Sequence, residues 1–163
     1  MTPKVNRIAV VLLDLRSSEN AGAICRTAEC AGVKEMYCVG TTPGPLDRFG
    51  RINKKFVKAS LGAEKNVQVE NCKDIGMLLK KLKREHFEII ALEQNKKAVD
   101  YRRKTNPKNN FALIVGNEVD GIPKNVLSKV DKIIEIPMKG EKESLNVSVA
   151  FGVSIFEIIK NIK

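Results

Sequence analysis

The chain has 163 residues with 43% hydrophobic content, enough for one sizeable core and short for two, so a single domain is expected. Lys and Arg outnumber Asp and Glu by 29 to 19, a formal charge of +10, which points to an anionic partner such as RNA or DNA, or else to a Lys-rich solvated surface. No stretch approaches the roughly 18 apolar residues of a bilayer span, and Cys25, Cys30, Cys38 and Cys72 show neither CxxC spacing nor a histidine partner, which argues against zinc and a disulfide framework.

In chain order, the apolar run at residues 8–13 has no cleavage-like site behind it and does not read as a signal peptide. Residues 8–15 read as a strand, 21–31 as a helix, 36–39 as a strand, 67–69 as a short strand and 74–85 as a helix. Further strands are expected at 87–92, 112–115 and 133–136, with a long closing helix over 145–162. Strands alternating with helices argue for an α/β fold with a mainly parallel sheet and helices on both faces. Residues 40–51 (GTTPGPLDRFGR) carry three Gly, two Pro and two Arg, and residues 95–110 carry six Lys or Arg. Both read as surface segments, either solvated connectors or arms that face RNA.

Ligands of parallel sheets sit beyond the carboxyl ends of the strands, and three such ends carry polar equipment. After the first strand comes SSENAGAICRTAECAG, where Ser17, Ser18 or Asn20 can cap a helix and Gly22 admits a neighbouring backbone. At about 100° per residue Arg26 falls opposite the buried Ile24 and points off the core. The second end is GNEVDG, where Gly116 and Gly121 permit tight turns, Asn117 to Asp120 can line a pocket and Glu118 can bond a polar ligand. An Asx-type turn leading into a helix at Pro123 explains the same residues. In the third, Ser144 is a candidate helix N-cap, Asn146 lies in the first turn, and Leu145, Val149, Gly152, Val153 and Phe156 form an apolar face.

The stretches NAGAICRTA (residues 20–28), IVGNEVDGI (114–122) and IPMKGEKESLNVSVA (136–150) resemble, in order and spacing, the three signature motifs of the SpoU or TrmH family of RNA 2′-O-ribose methyltransferases, within the SPOUT superfamily. KASLGA (58–63) and ALEQ (91–94) are similar to further family features, so the likeness runs over essentially the whole chain. It implies a deep trefoil knot in the C-terminal third, S-adenosyl-L-methionine bound in that knot, and a homodimer whose active site draws on both subunits. The apolar face of residues 145–162 is a candidate for part of that interface.

By the same resemblance, Gly116, Asn117, Glu118 and Gly121 lie close to the methyl donor, Leu92, Ile136, Met138 and Leu145 contact the adenine, and Asn146 also borders the cofactor. Arg26 is the family's proposed activator of the 2′-hydroxyl, with Asn20, Glu118, Ser144 and Asn146 arranging the site. Guanidinium groups hold their charge in proteins, which favours an Arg26 that orients a phosphate and stabilises a developing alkoxide. His86 lies away from the motifs, Cys25 belongs on the packing side of its helix, and no metal is expected. The family often adds an N-terminal substrate-binding domain, for which the sequence leaves no room before the first strand, so recognition is expected from the dimer surface, the basic arms and Arg48, Arg51, Lys54 and Lys55. Transfer RNA is favoured, with ribosomal RNA or a non-catalytic RNA-binding role as alternatives, and the reduced cysteines suit a cytoplasmic protein.

Overall fold

The structure is a computed structural model, and it describes residues 7–103, 107, 110–160 and 162. Seven strands, β1 (Ile8–Leu13), β2 (Glu35–Val39), β3 (Gln68–Cys72), β4 (Glu88–Leu92), β5 (Val99–Asp100), β6 (Phe111–Val115) and β7 (Lys132–Glu135), form one sheet in the order β3-β2-β1-β6-β4-β7-β5. Every pairing is parallel.

The strand at the centre of a parallel sheet is covered on both faces, so its sequence is a near-continuous apolar run. β6 (FALIV) is buried at every position and β1 (IAVVLL) at all but its first. Their side chains divide by the two-residue period of the pleat. Val10, Leu12, Phe111, Leu113 and Val115 face one layer, with Ile24 of α1 (Ser18–Cys30), Phe56 of α2 (Lys54–Ser60) and Phe151, Ile155 and Ile158 of α5 (Val147–Ile159). Ala9, Val11, Leu13, Ala112 and Ile114 face the other, with Leu78, Leu79 and Leu82 of α3 (Ile75–Arg84) and Val126 of α4 (Lys124–Leu127). The edge strand β3 (QVENC) is mostly exposed. That is why its apolar signal marks only its beginning.

Two helices differ from expectation. α2 is short and buries only Phe56 and Ser60, so no helical period is visible in KKFVKAS. The Asn53 side chain nevertheless starts it by accepting from Phe56 N at 3.3 Å. α5 begins later than expected, because Asn146 rather than Ser144 is its N-cap and accepts from Ser148 N at 2.9 Å and Val149 N at 3.4 Å. The part of the basic arm at 104–106 and 108–109 lies outside the described residues.

The chain order puts a reversal at the centre of the sheet. From β1 it winds outward through β2 to β3, while β6 and β4 lie on the other side of β1. A crevice opens where the strands diverge. The register pairs Leu12 with Val115, so the residues leaving β1 and those leaving β6 emerge side by side.

Candidate functional site

Asn117 is fixed from both ends of its amide. Its Nδ2 donates to the carbonyl of Asp14, just past β1, at 2.7 Å, and its Oδ1 accepts from Val119 N at 2.8 Å and Asp120 N at 2.9 Å. The Asx turn and the pocket wall expected of this stretch are therefore the same object. A Cβ on Gly116 would stand 2.6 Å from the carbonyl carbon of Gly121, and Gly121 itself has φ +67°, so both glycines are required by backbone approach and dihedral angle. Glu93 clamps the turn from β4, its Oε2 accepting from Ile122 N at 2.8 Å. Glu93 belongs to the ALEQ stretch, where no local pattern signals this clamp.

The Glu118 carboxylate reaches across to the start of α1. It accepts from Arg16 N at 3.0 Å, Ser17 N at 3.2 Å and Asn20 Nδ2 at 3.1 Å. Ser17 is the N-cap of α1, its hydroxyl accepting from Asn20 N at 3.1 Å. Burial pushes the Glu118 carboxyl up, but the bonds from Arg16, Asn20 and Ser17 outweigh it and leave the group below its ordinary value.

Asn20 passes the connection onward. Its Oδ1 accepts from Asn146 Nδ2 at 3.1 Å, and Asn146 Oδ1 then caps α5. The direction of this chain of amides is set at both ends, since a carboxylate only accepts and helix N–H groups only donate. One polar thread thus ties the turn after β6, the first turn of α1 and the first turn of α5.

A cleft of about 560 Å³ opens beside this thread, within the range of small-molecule sites. Asn20, Gly116, Asn117, Glu118 and Gly121 form its polar and backbone wall, and Leu92, Ile136, Met138 and Leu145 its apolar side. Ser144 and Asn146 complete the mouth beside Glu93 and Val119. Every candidate site residue read from the sequence therefore lines one cleft, except Arg26. That arginine is exposed on α1 outside the cleft lining, while its neighbour Thr27 abuts Gly152 of α5 at 3.6 Å from an added Cβ.

Cys25 is buried and its thiol is pushed up to about 12, first by burial and then by Glu64 and Glu29, which suits packing and not nucleophilic chemistry. His86 sits exposed in the turn after α3, away from the cleft. Among the described residues no group of three or more His, Cys, Asp or Glu could hold a metal ion, and no helix is long and apolar enough to cross a membrane.

Residues 7–156 match the model of the SpoU rRNA Methylase family. The chain is 32% identical over 155 residues to the 23S rRNA (guanosine-2′-O-)-methyltransferase RlmB of Xanthomonas axonopodis pv. citri, an alignment that covers 94% of this chain and 59% of that protein. The chain thus spans well under two thirds of that relative's length. Among solved structures, an AdoMet-bound rRNA methyltransferase from Sinorhizobium meliloti superposes with a TM-score of 0.85 at 25% identity, over 100% of this chain and 59% of the other. A TrmH/SpoU tRNA modifying enzyme from A. aeolicus gives 0.81 at 29% identity, over 97% and 78%.

Proposed function

The chain belongs to the SpoU methylase family, and from that premise we propose that it is an S-adenosylmethionine-dependent RNA ribose 2′-O-methyltransferase, with its described residues working as one catalytic domain. The observation that carries this reading is the thread Glu118–Asn20–Asn146, which draws the three polar strand ends to the rim of a single cleft.

The cleft suits the cofactor in size and chemistry. Gly116 and Gly121 admit close backbone approach on one wall, and Leu92, Ile136, Met138 and Leu145 offer apolar contact for an adenine on the other. S-adenosylmethionine supplies the methyl group as an electrophile on a sulfonium, for transfer to a ribose 2′-oxygen. The chain's own contribution is positioning. Glu118 is held by three donors and cannot swing, Asn20 and Asn146 fix the rim, and Ser144 faces the mouth. Arg26 stands outside the cleft lining of its own protomer, exposed on α1, whose Thr27 abuts Gly152 of α5. A homodimer formed through Val149, Val153 and Phe156, which are 50%, 39% and 48% exposed, would carry Arg26 to the partner's cleft, where its charge orients a phosphate and stabilises the developing alkoxide.

The deep knot belongs to the same proposal. The crossover that leaves β4 passes β7 to reach β5 at the sheet edge and returns to β6, while the chain leaving β7 turns to α5 on the α1 face. A chain end drawn through that crossover fits this order of elements. A cytoplasmic location fits RNA substrates.

On substrate, transfer RNA is the reading from sequence, and the tRNA modifying enzyme of A. aeolicus supports it. The RlmB relative, named for 23S rRNA, supports the ribosomal alternative. The test is transfer of labelled methyl from S-adenosylmethionine into separate pools of unmodified transfer and ribosomal RNA, followed by nuclease digestion. Label in a 2′-O-methyl nucleotide of either pool is the expected result. Cofactor binding without label in either would overturn the enzymatic reading in favour of a non-catalytic RNA binder.

A further inference from the structure

The connection from β2 to α2 closes on itself as a small hairpin. Leu46 bridges Ile52 in antiparallel fashion, Asp47 N donates to Arg51 O at 2.8 Å, and Gly50 N donates to Asp47 O at 3.0 Å. Gly50 takes φ +75°, the left-handed residue that follows a turn in hairpins of this kind. Asp47 Oδ1 also accepts from Phe49 N at 2.8 Å and Arg51 N at 3.0 Å. The tip is thereby held in one shape, with Arg48 and Phe49 at its apex.

That shape keeps an aromatic ring in solvent, for Phe49 is 66% exposed. The guanidinium carbons of Arg48 and Arg51 lie 4.8 and 5.0 Å from its centroid, within the range of cation–π attraction. Arg51 is also tied to Asp47, Nε to Oδ2 at 2.7 Å. Arg48 makes no other hydrogen bond or ion pair among the described residues. One arginine is therefore anchored and the other is free to lift from the ring.

The hairpin stands next to the cleft without lining it. Asn53, which follows it, donates to Ser18 Oγ in the first turn of α1 at 3.1 Å, and Lys55 pairs with Glu19 at 3.5 Å. Asn20 of that same turn lines the cleft. Lys54 and Lys58, exposed one turn apart on α2, extend the basic surface.

Resting on the RNA reading above, we propose that Phe49 is a stacking platform for an unpaired nucleobase of the RNA substrate, with Arg48 closing over that base. A bare apolar partner would have to bury the guanidinium groups of Arg48 and Arg51 together with the ring. A single-stranded polyanion that also carries π faces complements both features. Phe49 would then fix where the strand lies before its ribose enters the cleft.

The test uses the whole chain and two labelled strands of equal length, oligoadenylate and an abasic ribose-phosphate strand, with affinities read by fluorescence anisotropy. Stacking of this kind predicts that the wild type prefers the base-bearing strand by about 5- to 150-fold. Phe49→Ala should collapse that ratio towards one, and Phe49→Trp should keep it. An unchanged ratio in Phe49→Ala, or no preference in the wild type, would overturn the platform. S-adenosylmethionine titration and methyl transfer run in parallel. Intact transfer with a ratio independent of Phe49 overturns the platform alone, and absent transfer with a Phe49-dependent ratio overturns the enzymatic reading alone.

Discussion

The turn after β6 and the outer face of α5 stand at opposite extremes of self-sufficiency. In the turn, Asn117 spends both ends of its amide within the chain, Glu118 holds three donors, and Glu93 takes up Ile122 N. On α5, Val149, Val153 and Phe156 are left 50%, 39% and 48% exposed. The difference teaches that a polar wall can be finished by one protomer through directional bonds, whereas an apolar face can be finished only by area from another body. Arg26 lies outside the finished cleft, and only the proposed second protomer would give it a cleft to complete.

The sharpest way to break the contrast is to charge the unfinished face. In the proposed homodimer, Phe156→Glu should remove two aromatic contacts from the two-fold interface and cost association about 3 kcal/mol or more, at ~1.5 kcal/mol per buried ring. Sedimentation should then show a folded monomer, with methyl transfer lost and S-adenosylmethionine binding kept. A variant that remains dimeric, or a monomer with full activity, would sink the shared-site reading.

Next in size is the finished wall. Gly116→Ala sets a Cβ 2.6 Å from both Gly121 C and Ile122 Cγ1, an overpacking that should cost about 2 kcal/mol. Calorimetric titration should show weakened cofactor binding, with the oligomeric state unchanged. Asn146→Ala removes the cap of α5, worth about 1 kcal/mol, together with the link to Asn20. Asn146→Ser should restore most of the melting temperature but little of the activity, because a hydroxyl can cap the helix without reaching Asn20.

The smallest expected effect is the most specific. Glu118 is held below its ordinary value in the folded chain, so its stabilisation is fully present above the unfolded value of about 4.3 and is lost as pH falls through the lowered one. Because the carboxylate is largely exposed, its contribution is discounted to about 0.5–1 kcal/mol. The gap in melting temperature between the wild type and Glu118→Gln should be open at neutral pH and close in acid. A gap that is constant with pH would assign the bonds no charge-assisted strength.

What could be read from sequence follows the range of the forces involved. β1 and β6 announce themselves because central strands are apolar throughout, and α3 does so because Leu78, Leu79 and Leu82 repeat along one face. α2 stays hidden because its place depends on Asn53 and on contact with α1. A Cβ on Gly22 would lie 2.3 Å from Phe56 O. β5, two residues long, has too little pattern to register. The cleft residues were legible from the motifs, but their connection was not. Asn20 and Asn146 are 126 positions apart, and no local period encodes a bond at that separation. The same bond explains why the cap of α5 sits at Asn146, two residues beyond Ser144.

That separation also orders events in time. At roughly 5–20 residues per second of synthesis, Asn20 leaves the ribosome on the order of ten seconds before Asn146 exists. Until then Asn20 Oδ1 lacks its Asn146 donor, and the first turn of α5 that borders the cleft has not been made. The rim is therefore completed only once the first turn of α5 has been made. A growing chain cannot present a finished cleft early, and a chain cut short before α5 would keep Glu118 bonded to Arg16, Ser17 and Asn20 but leave Asn20 Oδ1 without its donor.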